Sequence, residues 1–99
     1  MVWDVTPEEF LALYNINREA IIILDVREIE EYEKYHLSNS ILIPIGEIYY
    51  RTNELDTNKD IYIICEHGNR STQAALILFD LGFKRVFNVM GGFEKLINK

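Results

Sequence analysis

Along the chain, unbroken apolar runs alternate with charged segments of helical spacing. Ala20 to Val26 (AIIILDV) is a nearly continuous, mostly β-branched run, the mark of a strand covered on both faces, as parallel sheets require. Asp60 to Ile64 is a strand of the same kind; Ile41 to Ile43 is a shorter one ended by Pro44, and Arg85 to Val89 is another. Between them lie the helices. Thr6-Pro7-Glu8-Glu9 is a helix start, with Thr6 as cap, Pro7 at the first helical position and Glu9 as the capping-box acid. Phe10, Leu11 and Tyr14 then form one apolar stripe. Glu28 to Tyr35 is a short acidic helix, with Ile29 and Tyr32 inward and Glu30, Glu31 and Glu33 toward water. IGEIYYRTNEL reads as a helical turn and an exposed loop. Ser71 to Leu81 carries Ala74, Ala75, Leu78, Phe79 and Leu81 at helical spacing and closes on Gly82, and GGFEKLINK is a final helix. This alternation predicts an α/β fold: a mainly parallel central sheet, right-handed crossovers, and helices on both faces.

A chain of 99 residues is one domain, 1–99, large enough to bury a core without disulfides or metal. Apolar residues at 48% and charged residues at 26% place it in the globular regime, far from disorder. The net charge of −6 and the isoelectric point near 4.8 leave no basic footprint for nucleic acid or an anionic membrane. Local groups must therefore capture any anionic ligand. The longest apolar runs are too short to span a bilayer, and the first residues lack a basic start followed by an apolar core. The expectation is a soluble, cytoplasmic protein. The chain shows no internal repeat or low-complexity linker.

The single cysteine, Cys65, excludes an internal disulfide, a CxxC redox pair and a multi-cysteine zinc site, and it fits a reducing compartment. It ends the run IYIIC, with a helix beginning a few residues later, so it stands at the carboxyl edge of the sheet where α/β folds bind ligands. Gly68 lets the intervening loop curl. Such a loop aims several amide N–H groups at one spot and adds the positive end of the helix dipole. With Arg70 nearby, both favour thiolate over thiol, and thiolate is the nucleophile. A lone cysteine at a strand end is equally well read as a small apolar core residue.

Cys65-Glu66-His67-Gly68-Asn69-Arg70-Ser71 resembles the Cys-x-x-Gly-x-Arg-Ser active-site loop of rhodanese-like domains, the single-domain sulfurtransferases. Other segments agree in order: Asp25-x-Arg27 after a strand, Glu31-Tyr32 with His36, Ile43-Pro44, Ala74-Ala75, Leu78, Gly82-Phe83, Val86 and Gly91-Gly92. The resemblance runs from about Thr6 to Leu96. It implies that Cys65 takes the outer sulfur of thiosulfate or a persulfide donor, carries it as a persulfide, and passes it to cyanide or a thiol, protein thiols included. The loop amides would hold the charged terminal sulfur. On that analogy Cys65 is catalytic, Glu66, His67, Gly68, Asn69, Arg70 and Ser71 bind the donor, with Arg70 foremost, and no metal or organic cofactor is needed. Asp25 and Arg27 read as an internal ion pair that fixes the loop above it.

Four residues separate Cys65 from Arg70. Cysteine phosphatases place one more there to cradle a phosphoryl group, so the shorter ring suits a single sulfur. Two departures stand out. Tyr35-His36-Leu37-Ser38-Asn39-Ser40 replaces the commoner Gly-His-Ile-Pro-Gly-Ala, and Glu66 puts a carboxylate beside the nucleophile, where it would repel thiosulfate if it faced the pocket mouth. His67 reads as a rim residue of the loop. Cys65, His67 and His36 lack a fourth zinc ligand. Tyr49, Tyr50 and Trp3 are expected at core or half-buried positions. A second functional class also fits the resemblance: a non-catalytic sulfur carrier or docking module, since fold alone does not decide chemistry.

Overall fold

The computed structural model describes residues 2–97. Its sheet has five strands, β1 (Val2–Val5), β2 (Ile22–Asp25), β3 (Ser40–Leu42), β4 (Ile61–Ile64) and β5 (Val86–Val89), all parallel, in the order β1-β5-β4-β2-β3. The α-helices are α1 (Pro7–Asn17), α2 (Ile29–Lys34), α3 (Ile48–Arg51), α4 (Asn69–Asp80) and α5 (Gly92–Ile97). Strand alternation divides the core. Ile22, Leu24, Ile61, Ile63 and Val86 pack toward α4 with Ala74, Ala75 and Leu78. Ile23, Tyr62, Ile64 and Val89 pack on the other face with Phe10 and Tyr14 of α1 and Phe93 and Leu96 of α5. The two central strands are buried at every position, which is why their sequences run apolar rather than alternating, save for Asp25 at the end of β2.

The α1 capping box is present: Glu9 N–H donates to Thr6 Oγ1 at 3.1 Å, and Thr6 N–H donates to Glu9 Oε1 at 2.8 Å. Gly82 closes α4 at φ +101, with Phe83 N–H reaching back to Leu78 O. The turn lacking the usual glycines is made by Asn39 at φ +69, a residue type that tolerates the left-handed region.

Several expectations change. β1 is an added edge strand, half exposed and only four residues long. Ile29 points to solvent at 46% exposure, and α2 buries no residue. Phe79 on α4, Leu81 at its C-cap, and Tyr49 and Tyr50 on α3 are exposed. α4 buries Ala74, Ala75 and Leu78 and α3 buries Ile48, so Phe79 and the two tyrosines fall on helix faces turned away from the core. Asn98 and Lys99, assigned to the final helix from the sequence, lie outside the described residues.

Candidate active site

β2 and β4 are neighbours at the centre of the sheet. The chain leaves β4 through α4 toward β5 and leaves β2 through α2 toward β3. Their carboxyl ends therefore flank the crevice where the connections diverge, the place where open parallel sheets bind ligands. Cys65 directly follows β4, and Asp25 ends β2. The β4 alternation turns Cys65 to the α4 side, where it is 1% exposed and packs within the core.

The loop folds around that sulfur. Gly68 adopts φ +97 at the N-cap of α4, and its N–H donates to Cys65 Sγ at 3.0 Å. α4 begins at Asn69, two residues earlier than the apolar spacing indicates, because polar Asn69 and Arg70 add no periodic signal. Ser71 thus lies in the first turn, where backbone N–H groups lack a helical acceptor. Its N–H donates to Sγ at 3.2 Å. The Ser71 side chain is fully buried, with Oγ 3.3 Å from Sγ.

From behind, α5 grips the same loop. Phe93 N–H donates to Cys65 O at 2.9 Å and Glu94 N–H to Glu66 O at 3.1 Å. Gly92 makes this approach possible, at φ +62 with its α-carbon against the loop backbone. His67 is on the rim, its Nδ1 2.7 Å from Glu94 Oε2. Asn69 is exposed. His36 stacks on Tyr32, with Nδ1 2.8 Å from Tyr32 O. Among the described residues no three His, Cys, Asp or Glu side chains form a metal-binding group.

Charged pairs wall the crevice. Arg27 is fully buried between the rings of Phe93 and Tyr35. Its Nε and one terminal nitrogen donate to Asp25 at 3.0 and 2.9 Å, and the second terminal nitrogen reaches Glu66 Oε1 at 3.3 Å. Glu66 also accepts from Tyr35 Oη at 2.7 Å, so its carboxylate is drawn to the wall rather than left free at the mouth. That bond raises the Tyr35 pKa above its ordinary value. Arg70 donates from both terminal nitrogens to Glu31, at 2.6 and 2.8 Å. The anion-binding cation read from the sequence is thus already engaged by a carboxylate. A pocket of about 250 Å³ opens among Arg27, Glu31, Lys34, Tyr35 and Glu66.

Glu31 is the clearest revision, since its place on an acidic helix suggested a solvated face. It closes the α2 capping box and binds Arg70. The Arg70 hydrogen bonds hold its carboxyl at about 2, below the ordinary 4.5. The folded state thus takes up this proton less readily than the unfolded chain. The stabilisation is complete above about pH 4.5 and is lost as pH falls from there toward 2. Glu31→Gln is expected to lower stability near neutrality by on the order of 1 kcal/mol, because the pair is partly exposed and screened. It should also flatten that acid limb, which urea midpoints across the pH range will measure.

Sequence reading also passed over Tyr35, Gly92 and Asn88 as parts of the site. Only Asn88 carried a local signal, a polar residue inside the apolar strand VFNV, where burial demands a hydrogen-bond partner.

An all-parallel sheet with a cysteine ringed by loop amides at its central carboxyl edge defines a class of α/β protein, and comparison with known proteins places the chain in it. The rhodanese-like domain family matches residues 6–99, and the chain belongs to that family. YrkF of Bacillus subtilis (strain 168), named as a candidate sulfur carrier protein, is 51% identical over 81 residues; the match spans 82% of this chain but 44% of YrkF. The thiosulfate sulfurtransferase GlpE of Coxiella burnetii (strain RSA 493 / Nine Mile phase I) is 32% identical, with 80% of this chain and 74% of GlpE covered. The crystal structure of a rhodanese-related protein from Thermoplasma volcanium superposes with a TM-score of 0.85 at 35% identity, covering 97% of this chain and 91% of that one. Among the described residues no helix is long and apolar enough to cross a membrane.

Proposed function

We propose that this protein is a cytoplasmic sulfurtransferase that moves a sulfane sulfur through a Cys65 persulfide. The observation that carries the reading is the aim of two amide N–H groups, from Gly68 and Ser71, at the sulfur of the chain's single cysteine. Donors so placed stabilise negative charge on sulfur without reorganising during the reaction. In the first step the Cys65 thiolate attacks the outer sulfur of the donor. A new S–S bond forms while the old one breaks, and sulfite leaves from thiosulfate, or a thiolate from a persulfide. In the second step an acceptor thiolate or cyanide attacks the terminal sulfur, and Cys65 departs as thiolate. Electrons and atoms balance without a metal or cofactor.

The pocket wall bears on the donor. Arg27 and Lys34 face Glu31 and Glu66, two positive charges against two negative, so the wall supplies no net attraction for a dianion. A singly charged persulfide donor suits this wall better than thiosulfate. A second reading, a sulfur carrier that loads but does not turn over, is favoured by the 51% identity to YrkF.

The test is intact mass after incubation with thiosulfate or with a small-molecule persulfide. One added sulfur atom is expected on the wild type and none on Cys65→Ser. No adduct from either donor would overturn both readings. Multiple turnovers with a thiol acceptor distinguish the enzyme from the carrier.

A further inference from the structure

A buried line of side chains runs from the surface of β1 to the Cys65 sulfur. Asn88, in the middle of β5, donates from Nδ2 to Asp4 Oδ1 at 3.0 Å. Its Oδ1 lies 2.6 Å from Ser71 Oγ, which lies 3.3 Å from Cys65 Sγ. Asp4 is exposed on the edge strand, and Asn88 and Ser71 are buried.

The directions in this line follow from what each group can do. A carboxylate only accepts, so Asp4 forces the amide nitrogen of Asn88 to face it and the amide oxygen to face Ser71. The Ser71 hydroxyl has one hydrogen. Its neighbours are Asn88 Oδ1 at 2.6 Å, Gly68 O at 3.1 Å and the sulfur at 3.3 Å. The shortest of these takes the hydrogen. Ser71 Oγ then turns lone pairs toward Sγ and accepts from the thiol S–H.

We infer that Asp4 and Asn88 are positioning residues that, by fixing the Ser71 hydroxyl as an acceptor toward Cys65, restrain ionisation of the thiol. The Gly68 and Ser71 amides favour thiolate, while the Ser71 hydroxyl favours thiol. The balance between them sets the pH at which the sulfur becomes a nucleophile. Were Asp4 unable to accept, the Asn88 amide could turn over and donate to Ser71 Oγ, and the freed Ser71 hydrogen would then choose between Gly68 O at 3.1 Å and the sulfur at 3.3 Å, with the charge of the thiolate drawing it to the sulfur.

The other charges about the loop are Arg70 with Glu31, Arg27 with Asp25 and Glu66, and His67 with Glu94. All stay unchanged in the variants that follow, which leaves the Asp4 charge itself as the competing cause. Asp4→Asn removes that charge but keeps an oxygen that can accept from Asn88; Asp4→Ala removes both. The readout is the ultraviolet absorbance of the thiolate against pH, as a difference from Cys65→Ser. It requires no sulfur transfer, so it stands or falls apart from the proposed function.

Asp4→Ala is expected to move the midpoint about one pH unit lower, the worth of one hydrogen bond to an ionised acceptor, with Asp4→Asn staying at the wild-type value. Equal shifts in both variants would assign the effect to charge and overturn the relay, as would no shift or an upward one in Asp4→Ala. Ser71→Ala gives an independent check. If Ser71 accepts from the thiol, its loss moves the midpoint down; an upward move would mean that Ser71 donates to the thiolate, contrary to the inference.

Discussion

Gly92→Ala is expected to destabilise the protein by about 3 kcal/mol or more and to abolish sulfur loading. A β-carbon built on Gly92 lies 2.2 Å from Cys65 O and 2.7 Å from the carbonyl carbon and oxygen of Glu66. These are backbone atoms, so no side-chain rotation relieves the contact. The residue also adopts φ +62, which costs any L side chain further energy. To admit the methyl group, α5 must move off the loop and give up the Phe93 and Glu94 N–H bonds to Cys65 O and Glu66 O. Two other glycines calibrate the effect. Gly46 has open space around it and no positive φ, so Gly46→Ala should stay within about 0.5 kcal/mol. Gly82 has open space but φ +101, so Gly82→Ala isolates the backbone strain, about 1 kcal/mol. Urea denaturation of the three variants checks the order, and an intact Gly92→Ala would mean that α5 does not brace the cysteine loop.

The different surroundings of these glycines also show what a sequence can and cannot announce. The central strands were legible because burial on both faces leaves long apolar runs, broken only by Asp25, and α1 and α4 because caps and spacing agree. Cys65, Gly68 and the start of a helix close behind them sufficed to place a thiol under loop amides. What stayed hidden depends on partners distant in sequence. Glu31 looks like any acid on a polar helix until Arg70, thirty-nine residues on, is brought against it. β1 is an edge strand of four residues, VWDV, with Trp3 and Asp4 exposed, too short to stand out; its pairing with β5 joins the two ends of the chain. Ile29 and Phe79 followed helical spacing yet face solvent, since spacing gives the period of a helix and not which of its faces the sheet covers. Gly92 was visible as a glycine, but only the packing of α5 on the Cys65 loop gives its missing side chain a reason.

Arg27→Met is expected to cost about 3–5 kcal/mol, because it removes one member of a buried ion pair and leaves the other. Asp25 and Arg27 are both fully buried, and Asp25 receives three side-chain hydrogen bonds from the guanidinium. Methionine fills much of the same volume between Phe93 and Tyr35 but donates to neither Asp25 nor the Tyr35 carbonyl, which Arg27 reaches at 2.7 Å. Only the Arg27 backbone N–H would still serve Asp25. The cost therefore comes mainly from stranded charge, and that gives a second, sharper expectation. Asp25→Asn combined with Arg27→Met removes both charges, so the double variant should be more stable than Arg27→Met alone, with strong non-additivity as the signature of direct contact. Arg27→Lys will not rescue, since an ammonium cannot present the flat fork that serves Asp25, Glu66 and the Tyr35 carbonyl together. Sulfur loading should fall with the fold in Arg27→Met and recover only partly in the double variant, because Glu66 and Tyr35 then lose the cation that holds them at the pocket wall. A double variant no more stable than Arg27→Met would show that packing between the two rings, and not the ion pair, is what Arg27 contributes.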